Sequence, residues 1–510
     1  MFVPCRKLCS EIISFVMLVV AMTIKGAAAD GLNSVESSRW SYARLQQRAK
    51  DLASRSFVGS PGLPEELQRL DYDSYRLIAF RHEKAIWKND LLPFWLEFFH
   101  RGYLFRDKVT LNVVEKGQVN PLPFDRQLFQ YRGKVSDLSV PADVGFAGFR
   151  VVGQFASSPH PLEVASFLGA SYFRAIGEGQ VYGTSARGLA VDIGLAKAEE
   201  FPVFREFWIE RPNRESRQLR MWALLDSPSV AGAYELALRP GGATLCDVTA
   251  RLFFRRQPEK IGLAPLSSMW MWGDGRPGPH DDPRPEVHDA DGLLVWTSAG
   301  EWVWRPFSQQ GYPSLSHYDF TGVRGLGLLQ RDRRPEVYRD DEAKYHLRPS
   351  VWIEPLHGWP AGAVELLELP AKNEGVDNIA AWWTPTEPVQ IGKPLDLHYT
   401  VSFMSGEPQQ HVGARAIDTR VERRPGQPIA VEIDFAGQLL ASFPDDAPIV
   451  PEIECLRGTA SRTQCIRQRD GVWRVRFEVH PAGSAPIEMR AVLKRRGRTV
   501  SESWRYLCPI

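Results

Sequence analysis

The chain has 510 residues, of which 44% are hydrophobic and 24% are charged, a composition that excludes an intrinsically disordered protein. Its 62 Lys and Arg residues balance 61 Asp and Glu residues, which argues against a nucleic-acid binder that relies on a basic surface. The aromatic content of 16 Trp, 14 Tyr and 26 Phe favours either an aromatic core or flat apolar faces that bind a ligand.

The first 29 residues have the features of a secretory signal peptide. Arg6 and Lys7 precede an apolar run over 12–24, and the alanines at 27–29 offer a cleavage site. The run is short for a bilayer span, so a signal anchor is the weaker alternative. The lack of a twin-arginine pair favours the general secretory route.

Four cysteines remain after this segment, too few for a disulfide framework. Cys455 and Cys465 lie close in sequence, so they could staple a hairpin in an oxidising compartment, or they are free thiols. The residues leave both interpretations open. None of the four has the spacing of a zinc site with a histidine pair.

Apolar residues at helical spacing over 45–53 predict a first helix. From about residue 71, short β-branched and aromatic runs between Gly, Pro and Asp predict the strands of a sandwich or barrel. A short helix is predicted after Pro161, through Val164, Phe167 and Leu168, because proline is tolerated in the first turn of a helix.

A proline-rich stretch separates two groups of predicted strands. Three prolines and one glycine between residues 384 and 394 indicate a linker. Beyond it, apolar and polar residues alternate, which is typical of half-buried strands. We therefore predict an all-β protein with a large β domain at 30–385, a linker at 386–394 and a small immunoglobulin-like sandwich at 395–510.

The densest mixture of aromatic and acidic residues lies at 268–305. Its tryptophans and acids are Trp270, Trp272, Trp296, Trp302, Trp304, Asp281, Asp282, Glu286, Asp289 and Asp291. Such neighbours suit a sugar site, because a pyranose stacks on an indole while carboxylates accept hydrogen bonds from its hydroxyl groups. The alternative is that these tryptophans are core positions of strands.

A calcium or zinc site is a further alternative for this region. Asp289 and Asp291 have the two-residue spacing of a calcium loop, and His280 and His288 are nearby donors. A full coordination pattern is missing from the sequence. We therefore predict neither a metal ion nor another cofactor.

A second candidate region, at 365–383, carries Glu374 and Asp377 in a polar loop between two apolar strands. Catalytic loops commonly lie at such a sheet end. Glycoside cleavage usually needs one acid to protonate the leaving oxygen and one carboxylate to activate water or attack. The two regions offer candidates for both roles, which is weak support for a carbohydrate-active protein.

Distinctive segments follow one another in order from about residue 72 to the C-terminus. They lie at 145–149, 168–174, 179–183, 185–190, 206–212, 284–289, 300–306, 327–332 and 347–350. In these segments the chain resembles the periplasmic glucan biosynthesis proteins of the G and D types.

The resemblance implies a periplasmic protein with a large galactose mutarotase-like β-sandwich and a C-terminal immunoglobulin-like domain. It implies action on β-1,2-glucan, as an inverting endo-acting glucanase or as a transglycosylase. The general acid falls on Asp377, the general base on Asp289, and Tyr345 falls on a hydrogen-bonded proton path. We expect Glu374 to supply negative charge that keeps Asp377 protonated.

Around these groups we predict substrate-binding side chains at Trp302, Trp304, Arg305, His288, Arg284, Glu374 and Trp382. Gly375 and Val376 depart from the family pattern just before the general acid, which leaves hydrolysis and glucan transfer, and the G or D subtype, open. The alternative function is a non-catalytic glucan-binding scaffold that assists an inner-membrane glucan synthase. A homodimer is left open, and no nucleic-acid partner is expected.

Overall fold

The structure is a computed structural model that describes residues 39–155, 158–411 and 413–510. The predicted signal peptide at 1–29 lies outside the described residues. Within the described ranges, no helix is long and apolar enough to cross a membrane.

Helices are short in the described part of the chain. The first, α1 (Tyr42–Ala53), confirms the helix predicted at 45–53 and buries Leu45 and Ala49 in a cluster with Trp208 and Trp222. The other α-helical turns are α2 (Glu65–Gln68), α3 (Tyr72–Tyr75), α4 (Pro335–Tyr338) and α5 (Gln438–Ala441). Single 3-10 turns lie at His82–Lys84, Lys88–Asp90, Arg126–Leu128, Gly133–Val135 and Tyr345–Leu347.

Strands make up most of the described chain. The first twenty-four are β1 (Ile78–Phe80), β2 (Phe94–His100), β3 (Thr110–Glu115), β4 (Gln118–Leu122), β5 (Phe129–Tyr131), β6 (Phe146–Gly153), β7 (Leu162–Leu168), β8 (Tyr172–Ala175), β9 (Ser185–Arg187), β10 (Leu189–Val191), β11 (Val203–Glu210), β12 (Leu219–Asp226), β13 (Val230–Arg239), β14 (Thr244–Phe254), β15 (Ile261–Ser268), β16 (Trp270–Trp272), β17 (Val287–His288), β18 (Gly292–Thr297), β19 (Trp302–Pro306), β20 (Ser314–Phe320), β21 (Val323–Leu329), β22 (Ser350–His357), β23 (Gly362–Glu368) and β24 (Ile379–Pro385).

Nine strands follow the proline-rich stretch. They are β25 (Leu395–Met404), β26 (Arg415–Glu422), β27 (Ile429–Ala436), β28 (Ile449–Leu456), β29 (Gly458–Arg467), β30 (Trp473–Pro481), β31 (Ile487–Arg495), β32 (Arg498–Thr499) and β33 (Ser503–Cys508).

Two large sheets form the body of the described chain. A ten-stranded sheet has the order β2-β6-β7-β8-β9-β15-β24-β23-β20, with β10 beside β15. A fifteen-stranded sheet has the order β28-β31-β33-β19-β18-β21-β22-β25-β14-β13-β12-β11-β3-β4, with β32 beside β31. The pairs β1-β5 and β16-β17 form small two-stranded sheets, and the latter positions the candidate site.

The two large sheets pack face to face through aromatic side chains. Phe149 and Phe167 of the ten-stranded sheet contact Phe207 of the fifteen-stranded sheet, with ring centroids 4.9 and 5.5 Å apart. All three rings belong to one continuous buried cluster. Since strand side chains alternate between faces, each strand supplies this core with every second residue. The predicted all-β sandwich class is confirmed.

The C-terminal strands form a second, smaller sandwich. The four-stranded sheet β26-β27-β30-β29 shares one core with β28, β31 and β33, in which Trp473, Phe477 and Met489 are buried. Strand β33 also pairs in parallel with β19, with Trp504 opposite Trp304, so the large sheet continues into this unit. Cys455 and Cys465 are both free thiols here.

The helix predicted after Pro161 is wrong, because residues 162–168 form β7. This strand pairs with β6 on one side and β8 on the other. Val164 and Phe167 are buried on it, so their helical spacing is a coincidence that tertiary pairing overrides.

The strand predicted to open the small domain lies elsewhere. β25 begins at Leu395 but pairs with β14 and β22, so that Val401 lies opposite Cys246 and Ile353 inside the fifteen-stranded sheet. Alternation predicts a strand but not its partners, which are set by distant segments. We propose that the boundary of the small unit follows β25 rather than preceding it.

Candidate active site

Asp289 lies directly after β17 and is almost fully buried, with 5% of its surface exposed. Its backbone N–H donates to the Met269 carbonyl over 2.8 Å, which holds it against the segment between β15 and β16. Arg348 Nη1 lies 2.9 Å from Asp289 Oδ1. Burial raises the pKa of Asp289 to about 6, and the charge of Asp377 adds to this, while Arg348 opposes it.

Asp377 ends the loop between β23 and β24 and is the more accessible carboxylate, with 32% of its side chain exposed. Arg174 Nη2 lies 3.6 Å from Asp377 Oδ2, and Arg174 Nε donates to Ser185 Oγ over 2.5 Å. Arg174 and Asp377 both influence the pKa of Asp289. The structure thus brings one buried and one accessible carboxylate together, with an arginine beside each.

Tyr345 lies in the 3-10 turn before β22, and its hydroxyl donates to Glu374 Oε2. Arg284 Nη1 holds the same carboxylate at 3.0 Å. The guanidinium of Arg348 lies 4.9 Å from the Tyr345 ring centre, so Arg348 contacts both Tyr345 and Asp289. Burial and the Glu374 carboxylate both raise the pKa of Tyr345, which keeps the phenol protonated.

Three predicted site residues thus form a chain of their own: Arg284, Glu374 and Tyr345. The carboxylate of Glu374 is bound by a phenol and a guanidinium, which offset its negative charge. The expected influence of Glu374 on Asp377 stays a prediction.

Polar side chains cross the outer face of the ten-stranded sheet in one row. Register and hydrogen bonding align Glu97, Arg150, Ser166, Arg174, Ser185 and Ser267 on successive strands from β2 to β15. At about 4.8 Å per strand the row spans roughly 24 Å. The neighbouring positions Phe149, Phe167 and Phe173 point into the core instead. The row reaches Asp377 through Arg174.

Four of the predicted substrate-binding residues contact protein groups other than the two carboxylates: Trp302, Trp304, Arg305 and Trp382. Trp302 stacks on Trp296 with centroids 4.8 Å apart, and Trp304 is 2% exposed under the guanidinium of Arg331. Arg305 forms a buried ion pair with Glu368 at 2.8 Å.

Trp382 is fully buried in a small apolar cluster. Like Trp304 and Arg305, it is closed to a sugar in this conformation. The substrate-binding roles predicted for these residues and for Trp302 have no support in the described contacts.

His288 faces away from Asp289, into a cavity of about 890 Å³ between the large sheet and the C-terminal unit. Its Nε2 lies 2.9 Å from Glu286 Oε2 and its Nδ1 lies 3.2 Å from Asp291 Oδ1. Burial lowers the pKa of His288, but these carboxylates outweigh burial and raise it to about 9.

Glu286, His288 and Asp291 are the group of described residues whose donor atoms lie close enough to hold a metal ion. The two carboxylates, however, lie against different nitrogens of the ring. A metal ion binds only one of these nitrogens, so the arrangement suits a protonated imidazole between two carboxylates better than a metal centre.

Three residues of the site were missed by the sequence reasoning: Arg174, Arg348 and Asn378. The sequence could have pointed to each of them. Arg174 and Arg348 lie in segments that carry the family resemblance, and Asn378 directly follows the predicted acid. A single sequence gives no distance between segments, so their proximity to the carboxylates could not be read from it.

Comparison with known proteins places this geometry in context. The family model described as "Periplasmic glucan biosynthesis protein, MdoG" matches residues 40–508. The chain is 42% identical to "Glucans biosynthesis protein D 1" of Ralstonia nicotianae, covering 96% of each chain. It is 39% identical to "Glucans biosynthesis protein G" of the same organism, covering 96% of this chain and 98% of that protein. It is 38% identical to "Glucans biosynthesis protein G" of Pseudomonas paraeruginosa, covering 96% of each.

Proposed function

Because this chain belongs to the periplasmic glucan biosynthesis protein family, we propose that it cleaves or transfers β-1,2-glucan chains with inversion at the anomeric carbon. The family supports a periplasmic location and a role in glucan biosynthesis. The observation that carries the enzymatic proposal is the pairing of a buried carboxylate, Asp289, with an accessible one, Asp377.

In the proposed reaction, Asp377 is the general acid. Its exposed carboxyl donates a proton to the glycosidic oxygen as the bond from that oxygen to the anomeric carbon breaks. Bound glucan would cover Asp377 and exclude water from it. Arg174 beside it is placed to donate hydrogen bonds to sugar hydroxyls.

Asp289 is the proposed general base. It accepts a proton from the attacking water, or from the attacking hydroxyl of a second glucan chain, as the new bond forms to the anomeric carbon. A pKa of about 6 leaves Asp289 ionised at neutral pH and still basic enough to accept a proton. Arg348 helps to keep it ionised.

The polar row on the ten-stranded sheet supports an extended ligand. Its partly exposed members Arg150, Ser166 and Arg174 offer guanidinium and hydroxyl groups on three successive strands. The other members, Glu97, Ser185 and Ser267, are buried. We propose that the glucan crosses the strands along this row and reaches Asp377 beside Arg174.

The test is incubation of the purified protein with linear β-1,2-glucan, following chain lengths and reducing ends. New reducing ends would indicate hydrolysis, and redistributed chain lengths without them would indicate transfer. Asp377→Asn should abolish either change, whereas Asp446→Asn, the same change at an exposed site in the C-terminal unit, should not. Glucan that stays unchanged with the wild type would favour the scaffold alternative.

A further inference from the structure

Asn378 follows Asp377 directly and is 2% exposed, yet its polar atoms all have partners. Its side chain binds the backbone of Trp270 twice, with Oδ1 accepting from the Trp270 N–H over 2.9 Å and Nδ2 donating to the Trp270 carbonyl over 2.8 Å. Nδ2 also donates to the Leu369 carbonyl over 2.9 Å, where the loop that carries Asp377 begins.

The backbone of Asn378 extends the same connection. Its N–H donates to the Ser268 carbonyl over 3.0 Å, and its carbonyl accepts from the Leu369 N–H over 2.8 Å. Strand pairing between β15 and β24 ends here, with Ser268 opposite Ile379. Beyond the last backbone pair of β15 and β24, the side-chain amide of Asn378 therefore binds the Trp270 backbone as a neighbouring strand would.

Asp289 is attached to this same short segment. Its N–H donates to the carbonyl of Met269, the residue between Ser268 and Trp270, and Trp270 pairs with His288 in the β16-β17 ladder. Both carboxylates are thus tied to three consecutive residues, 268–270. Asp377 is tied through Asn378 and Asp289 through its own backbone.

We propose that Asn378 is a positioning residue that sets the separation of Asp377 and Asp289. This inference rests on the proposed function. Asn378 is buried and contacts neither carboxylate, so it acts through Asp377, whose backbone it anchors. Inverting cleavage depends on a defined gap between the two carboxyl groups that admits the attacking nucleophile. The two hydrogen bonds from the Asn378 amide to Trp270 fix the distance between the two carboxyl groups without contacting either of them.

The test compares Asn378→Ala with Asn112→Ala. Asn112 is also a buried asparagine, 4% exposed, whose Nδ2 donates to Glu206 and to the Phe207 carbonyl far along the chain from both carboxylates. Both variants should lower the unfolding midpoint. Only Asn378→Ala should also lower kcat, by about 100-fold, with little change in KM. Equal losses of activity in the two variants would overturn the proposal.

A second comparison separates positioning from general destabilisation. The same substitution is made in an Asp377→Asn background and assayed with a substrate whose leaving group needs no acid. Asn378→Ala should then lower kcat little, because there is no acid left to position. A loss as large as in the wild-type background would contradict the proposal. If Asn378→Ala fails to fold, Asn378→Ser serves instead, since it is uncharged and its short side chain cannot replace the bonds of the amide to Trp270 and Leu369.

A third readout does not require activity. The titration of Asp289, followed by carboxyl-carbon NMR, includes the influence of Asp377 and so depends on their separation. Asn378→Ala should shift this titration and Asn112→Ala should not. If the wild type is inactive on glucan but Asn378→Ala still shifts the titration of Asp289, the proposed function is wrong and the positioning role stands. An unshifted titration together with unchanged kcat would overturn the positioning role alone.

Discussion

Two polar regions lie on opposite sides of the short strand β17, and the consecutive residues His288 and Asp289 each belong to one of them. Asp289 belongs to the face with Asp377, whereas His288 belongs to the cavity beside the C-terminal unit. In the cavity, His288 is paired within the protein with Glu286 and Asp291.

On the opposite face, Asp377 keeps a third of its side chain accessible, and Arg174 Nη2 lies 3.6 Å from its Oδ2. The imidazole of His288, by contrast, is held between two carboxylates of the protein itself. We propose that the ligand binds at the face with the two carboxylates rather than in the cavity of about 890 Å³ beside His288.

Loss of the accessible carboxylate should have the largest effect. Asp377→Asn removes the proton donor and should lower kcat for glucan by about 10²–10⁴-fold with an unchanged unfolding midpoint. Reducing-end and chain-length assays measure the effect. If this variant were as active as the wild type, Asp377 would not be the proton donor, and the face with the two carboxylates would not differ in function from the cavity.

Loss of the buried carboxylate should reduce activity and change its pH dependence. The wild-type rate should rise with pH through about 6, because Asp289 must lose its proton to act as base. Asp289→Asn should abolish this limb and leave a low rate. A wild-type rate that falls across the same range would indicate the opposite protonation state.

Removing the Arg348 guanidinium beside Asp289 should move the rising limb of the pH–rate profile. Arg348 favours the ionised form of Asp289, so Arg348→Met should raise the pKa of Asp289 and shift the limb to higher pH. The matched variant Arg469→Met, at an exposed arginine that lines the cavity, should leave the pH profile of kcat unchanged. A shift in both variants would mean that the two regions share one electrostatic field.

A change on the cavity side should affect stability in a pH-dependent way. The pKa of His288 is raised to about 9, above its ordinary value, so the stability it contributes is fully present below about 6.5 and is lost as pH rises through about 9. His288→Gln should therefore lower the unfolding midpoint at pH 6 more than at pH 10. A pH-independent loss would mean that the ring is held neutral.

The sequence allowed the all-β class, the first helix and the C-terminal alternation to be predicted, because local periodicity determines them. It also pointed to Asp289 and Asp377, through carboxylates among aromatic residues and through the family resemblance. The two acids lie 88 positions apart, and the contacts of Met269 and Asn378 tie both to the segment 268–270.

Long-range pairing explains what the sequence could not predict. The segment after Pro161 has helical spacing, but two neighbouring strands make it β7. Leu395 begins a strand as predicted, yet its partners place that strand in the large sheet. Trp304 and Trp382 lie near the acids in sequence but are buried outside the core between the two large sheets, to which Val303 and Trp383 belong.

We propose that Asp289 and Asp377 act on glucan from opposite sides of the anomeric carbon. The most direct measurement is the anomeric configuration of the first product formed from linear β-1,2-glucan, followed by proton NMR before mutarotation. Inversion predicts that the new reducing end, or the new linkage in a transfer, is α. A β product at the earliest time point would contradict the account.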